Sequence, residues 1–333
     1  MKKGMTSLER VLKTLGHEEP DRVPLFLTTT MHGAKELGLT IEDYFKKADN
    51  LVEGQLRLRK KYRNDFINAF FHASLEVEAW GGESIFIDNG PPNAGQPVIS
   101  NPEVIPALTP PVVRDTACLQ KVLEAIAELK IKVEGEVPII GVVMSPFSLP
   151  VMQMGYPAYL DLMMERPQLF ASLMKINEQF CVDWANAQLA AGATAICYFD
   201  PLASSTNTPP EIYRRTGFPT ACRTLELIQG PTATHMASGR CLPIIDDLAA
   251  TGTAIVGVGG LENLAEIKTG CQNKLTVLGN LNGIAMRKWT PEVASETVKN
   301  SIEAAGPGGG FILSDGHGGN SMAGSRRCAP VHQ

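Results

Sequence analysis

The sequence predicts an α/β protein, a single (β/α)8 TIM barrel, on three observations. Six short runs rich in β-branched residues recur from the middle of the chain onward: PIIGVVM (138–144), TAICYF (194–199), PTATH (231–235), TAIVGV (253–258), KLTVLGN (274–280) and GFILSD (310–315). Between them lie segments of helical spacing, and near-continuous apolar strands alternating with helices imply a parallel sheet covered on both faces. The length, 333 residues, suits one closed barrel. No G-x-G-x-x-G follows the first strand, which argues against an open dinucleotide-binding sheet.

The elements follow in order. Thr6 to Leu15 has helical spacing with Ser7 as its cap, and EEPDRVP breaks it. Arg22 to Leu27 reads as the first strand. Ile41 to Tyr62 reads as one long amphipathic helix whose basic end, RLRKKYR, is a solvated terminus favoured by the helix dipole. FINAFF follows as a strand, LEVEAWGG as an acidic helical turn, and SIFIDNGPPNAG as a strand closed by Gly and Pro. The later helices are YLDLMMERPQLFASLMKINEQFCVDWANAQLAAG, PEIYRRTGFPTACRTLELI, LPIIDDLAATG, LENLAEIKTG and PEVASETVKNSIEAAG. With the N-terminal strands the units number about eight, the count of a closed barrel. The expectation is one TIM-barrel domain over residues 1–333 with an N-terminal helical extension.

Composition narrows the function. The chain is 44% hydrophobic and 20% charged, enough apolar content for a packed core. A net charge of −5 argues against nucleic acid as a partner, because phosphate binding needs clustered Lys and Arg. No apolar run reaches the roughly 18 residues of a membrane span, and the first residues, MKKGMTSLER, hold no apolar signal core. Seven cysteines, an odd number without any C-x-x-C, read as reduced thiols of a cytoplasmic protein.

In such a barrel, functional groups sit at the C-terminal ends of the strands. Asp200 ends TAICYFD, His235 ends PTATH, Asn280 ends KLTVLGN, and Asp315 and His317 end GFILSDGH, with His72 after FINAFF as a further member. Polar groups gathered on that face are costly without a use, so the rim is the expected active site. The glycines of GHGG and GPGGGF are expected to flank it and let a ligand approach the backbone. The string Asp315-Gly-His317-Gly-Gly-Asn320 falls short of the cobalamin-binding pattern D-x-H-x-x-G at its last position.

These residues carry a resemblance. TSLERVLKTLGHEEPDRVP, LEVEAWGG, GATAICYFDPLASS, PTATHMASG, LGNLNG and FILSDGHGG resemble, in order and over about residues 6 to 320, the uroporphyrinogen decarboxylase superfamily. DPLASS and VEAWGG look more like its methylcobalamin-dependent methyltransferases, the MtaA and CmuA type, than its decarboxylases. The resemblance implies a (β/α)8 barrel. Decarboxylases of the family carry an Arg-rich MRQAGR stretch after the first strand, where this chain reads FLTTTMHGAKELG without Arg. Their catalytic Asp, of the FSDI motif, aligns with His72. A porphyrinogen with many carboxylates needs bidentate cations, so porphyrin decarboxylation is not expected here. The family's thiol methyltransferases hold zinc with His-x-Cys and a distant Cys. Here the first motif is His235-Met236-Ala237 and the distant position is His317, and two histidines alone make a poor thiolate-activating set, with Glu78 or Cys241 as candidates for a third ligand that the spacing does not require.

The resemblance therefore implies a corrinoid-dependent methyltransferase that takes a methyl group from a small-molecule donor, such as an aryl methyl ether, and passes it to cob(I)alamin on a separate corrinoid protein. His235, Asp200, His317 and His72 are expected to be catalytic, His or Asp acting as acid on the leaving oxygen. Asn280, Asp315 and Glu78 are expected to bind substrate. Cobalamin comes with the partner, and little zinc is expected. The alternatives are transfer from methylcobalamin to a thiol or folate, decarboxylation of a smaller acid, and a non-enzymatic binding module.

Overall fold

The computed structural model describes residues 4–315. Its main sheet holds β1 (Leu25–Phe26), β2 (Ile67–Asn68), β3 (Ile139–Met144), β4 (Ala195–Phe199), β5 (Thr232–His235), β6 (Ile255–Gly257), β7 (Thr276–Asn280) and β8 (Phe311–Ser314). They lie side by side, all parallel, in the order β1, β8, β7, β6, β5, β4, β3, β2. The two ends of that order meet. Asp65 N–H donates to Leu25 O at 2.8 Å, and Leu27 N–H donates to the Asn64 side chain at 3.1 Å. β1 and β2 are too short for a full ladder, so the side chains of Asn64 and Asp65 complete the closure. The fold is a (β/α)8 barrel.

Side chains alternate along a strand, so every second residue faces the barrel axis. Phe26, Phe66, Ile140, Ala233, Ile255, Leu278 and Ile312 make one such apolar layer, joined by Val11 and Leu15 of the helix Ser7–Leu15. That helix closes the N-terminal end of the barrel. Its cap is Thr6, in a capping box with Glu9, rather than the expected Ser7, whose hydroxyl instead donates to Asp65 at 3.0 Å. Arg10 and Arg22 both pair with the fully buried Asp65 at 2.7 Å, which ties the N-terminal segment to the start of β2. The larger apolar clusters lie between the strands and the outer helices, around Phe180 and Trp184 on one side and Phe147 and Tyr159 on the other.

Several expectations change. The helix expected over 41–62 is two, Ile41–Lys46 and Ala48–Tyr62, separated by an extended Lys47. The break allows Tyr44 and Phe45 of the first and Leu51 and Val52 of the second to be buried together. SIFIDNGPPNAG lies outside the barrel, with Ser84–Ile85 pairing antiparallel to Asn93–Ala94. The helix Ala117–Val133, which precedes β3, was not foreseen.

The run GPGGGF lies at the start of β8, at the opposite end of the barrel from the rim it was expected to flank. Gly308, Gly309 and Gly310 all have positive φ, and a Cβ on Gly309 would lie 2.4 Å from the Glu18 carbonyl. These glycines serve the packing of the base. GHGG, including His317, lies outside the described residues. Among the described residues no helix is long and apolar enough to cross a membrane.

Candidate functional site

Two residues beyond the apolar layer, the same alternation places a second ring facing the axis at the C-terminal end. Ala233 leads to His235, Ile255 to Gly257, Leu278 to Asn280, Ile312 to Ser314, Cys197 to Phe199, Phe66 to Asn68 and Phe26 to Thr28. The strand register brings them level, pairing Phe199 with His235, His235 with Gly257, and Ser314 with Asn280. Thr28, Asn68, His235, Asn280 and Ser314 are uncharged and polar, Phe199 and, two residues past Ile140, Val142 are apolar, and Gly257 has no side chain.

His235 is its most constrained member. The backbone N–H of Ala237 donates to His235 Nδ1 at 2.9 Å. A nitrogen that accepts cannot also carry hydrogen, so the neutral ring has its proton on Nε2. To reach back, Ala237 adopts φ of +52°, a left-handed conformation costing an L-residue about 1 kcal/mol. The Phe199 ring lies 5.7 Å away, centroid to centroid. On the other side Gly257 makes room, since a Cβ there would lie 2.7 Å from His235 Cδ2. Gly257→Ala is therefore expected to push the imidazole aside. With the fold intact by circular dichroism, turnover should fall by about 100-fold, the cost of roughly 1 Å of misplacement.

The other expected residues fall in different places. Asn280 stands in the ring, but its Nδ2 donates to the carbonyls of Glu262, at 2.9 Å, and Gly259, so it also holds the loop after β6. Asp315 accepts from Thr28 N–H at 2.9 Å and from Thr28 Oγ1 at 2.7 Å, joining the ends of β1 and β8.

Asp200, one residue past the inward Phe199, turns to the helix layer. It is fully buried, with Oδ1 accepting from Ser145 at 2.7 Å and Ser148 at 2.6 Å. Burial raises its pKa to about 6 against those two bonds. Asp200 thus has no place on an open rim with His235, although its N–H donates to the His235 carbonyl at 2.8 Å and so links the two strand ends.

His72 and Glu78 come together, with Nε2 and Oε1 4.0 Å apart. His72 is packed against Phe45 and Phe86, and its Nδ1 lies 3.0 Å from Ser74 Oγ. Burial, and then the charge of Lys121, push its pKa down to about 3, so it is neutral across the physiological range. His317 lies outside the described residues.

His32 was missed. It opens the short helix His32–Leu37 after β1, and burial lowers its pKa while the nearby Asp315 acts to raise it. In FLTTTMHGAKELG a lone His carries no signal of its own.

Among the described residues no group of three His, Cys, Asp or Glu could hold a metal ion. At His235-Met236-Ala237 the ring nitrogen nearest the turn is already taken, and Ala237 offers no donor. The described residues do not fit a zinc site.

With this geometry in view, comparison with known proteins decides the family. The profile described as Uroporphyrinogen decarboxylase (URO-D) matches residues 6–322. The chain belongs to the uroporphyrinogen decarboxylase family. Curated relatives include the uroporphyrinogen decarboxylase of Alkalilimnicola ehrlichii, 24% identical over 93% of this chain and 88% of its own. The enzyme of the same name from Ralstonia nicotianae is 27% identical over 89% and 83%.

Solved structures share the family fold. A methyltransferase from Methanosarcina mazei, 21% identical, superposes with a TM-score of 0.79 over 96% of this chain and 94% of that one. A B12-independent methionine synthase from Shewanella sp. W3-18-1, 12% identical, does so with a TM-score of 0.55 over 84% and 83%. The family's curated members matched here are enzymes, decarboxylases.

Proposed function

We propose that this protein is a corrinoid-dependent methyltransferase, taking the methyl group of an uncharged donor such as an aryl methyl ether to cob(I)alamin carried by a separate corrinoid protein. One observation carries the reading: an imidazole fixed as an Nε2–H donor in a ring whose members carry no charged side chain. A porphyrinogen or other polycarboxylate calls for guanidinium partners, and the run after β1 holds none.

The methyl acceptor is a strong nucleophile already, so the enzyme's work falls on the leaving group. As the methyl–oxygen bond breaks and the methyl–cobalt bond forms, the electron pair of the broken bond stays on oxygen. A hydrogen bond from His235 Nε2 stabilises that developing charge. Because Nδ1 accepts from Ala237, the ring suits this role as a neutral donor better than as the full acid expected from sequence, and the phenolate takes its proton from water after release. Phe199, 5.7 Å from the imidazole, supplies an aromatic face for an aryl donor.

The test incubates the chain with a reduced corrinoid protein and a panel of methoxylated aromatics. The methyl–cobalt absorbance and a free phenol should appear together. Release of carbon dioxide from a carboxylated substrate, with no transfer from any donor, would overturn the reading in favour of a decarboxylase.

A further inference from the structure

Beside the ring of inward residues, a cleft of about 400 Å³ opens between the loops after β6 and β7 and the helix Pro291–Ala305. Its walls include Glu262, Asn280, Asn282, Trp289, Thr297 and Asn300, and no lining residue is Lys or Arg. Asn280 belongs both to the lining of this cleft and to the inward ring, so the two are neighbours.

The donor set is unusual in kind. Asn282 spends its Oδ1 on the N–H groups of Ile284 and Ala285, leaving its amide NH2 as the donor it offers. Glu262 Oε1 accepts from the N–H groups of Cys241 and Leu242, which fixes the loop. Asn300 is exposed and forms none of the described side-chain hydrogen bonds. Two apolar side chains next to lining residues stand in solvent, Leu261 at 70% and Ile284 at 63% exposure. Amides, a carboxylate and an indole without a cation suit uncharged groups that both donate and accept, and primary carboxamides are the simplest of these.

A corrin is a broad apolar macrocycle fringed with carboxamide arms. We propose that this cleft receives carboxamide arms of the corrin that the partner protein presents at the barrel mouth, with Leu261 and Ile284 against its apolar edge. The inference rests on the methyltransferase reading and adds where, on this chain, the acceptor is recognised. The cleft has room for a few arms, and the macrocycle itself stays outside it.

Two free corrinoids test it by equilibrium dialysis against the whole chain at 0.5 M salt, where charge repulsion is largely screened. They are dicyanocobinamide, whose arms are amides, and dicyanocobyrinic acid, whose arms are carboxylates. The amide form should bind at least about 10-fold more tightly, and Asn300→Ala and Thr297→Val should each weaken it about 3- to 10-fold, losses of one hydrogen bond. Neither variant should change binding of the acid form, and circular dichroism confirms their fold.

Equal binding of the two corrinoids, or variants that bind dicyanocobinamide as the parent does, would overturn the inference. So would no binding of either. The methyl-transfer assay is read separately. Transfer that proceeds alongside any of these results removes the cleft assignment alone, whereas its failure removes the reading beneath it.

Discussion

His235→Ala is expected to lower methyl transfer by about 10²–10³-fold, the usual cost of removing one donor to a developing oxyanion, while donor binding changes little. The loss should fall on kcat, because the hydrogen bond strengthens only as charge reaches the oxygen. His235→Gln, which keeps an N–H donor on a longer stem, should recover part of it. Cys241→Ser is the control from the same segment. Cys241 is fully buried, and serine keeps both the backbone N–H and a side-chain donor towards Glu262, so most activity should remain. The pH profile separates the two roles for the imidazole. A neutral donor keeps its rate as pH rises from 7 to 9, whereas an acid loses rate tenfold for each pH unit above its pKa. A Cys241→Ser variant that fails while His235→Ala stays active would defeat the mechanism and point to a sulfur-ligated metal.

Much of this was legible in the sequence, for physical reasons that differ by element. β3 to β8 were readable because a buried parallel strand is a near-continuous apolar run, and six of them recur. β1 and β2 were harder, since two-residue strands leave little pattern, and their closure depends on Asn64 and Asp65 rather than on a ladder. The strand ends place His235 and Asn280, which the structure shows facing the barrel axis, but a strand end does not say which way a side chain points. Asp200 sits one residue past the inward phase and is taken up by Ser145 and Ser148. Alternation within TAICYFD separates Phe199 from Asp200. The partner of His235 Nδ1 was not legible, because it is a backbone N–H delivered by a left-handed Ala237, and nothing in an alanine advertises that conformation.

Glu76 gives the second large effect, and it acts on stability. Its carboxyl is buried beneath the barrel wall, with Oε1 accepting from Met144 N–H at 2.9 Å and Oε2 lacking a hydrogen-bond partner. Burial dominates the bond and raises its pKa from 4.5 to about 8. Between those values the folded protein keeps a proton that the unfolded chain has released. Stability therefore falls as pH rises across that window and levels off above pH 8. Asp200, raised from 3.8 to about 6 by its own burial, adds to the same slope at the acid end.

Glu76→Gln carries no charge at any pH and keeps an acceptor for Met144. Its urea midpoint should change much less than the parent's between pH 5 and 8.5, the residual slope belonging to Asp200 and the surface groups. At pH 8.5 the variant should be the more stable protein, by on the order of 4 kcal/mol if the whole linkage is recovered. At pH 5, where Glu76 is protonated in the fold, the two should lie close together. Parallel stability curves across the range would show that the carboxyl does not retain its proton. The buried position would then be holding a charge that Met144 N–H and the neighbouring Trp184 indole stabilise well enough to offset desolvation.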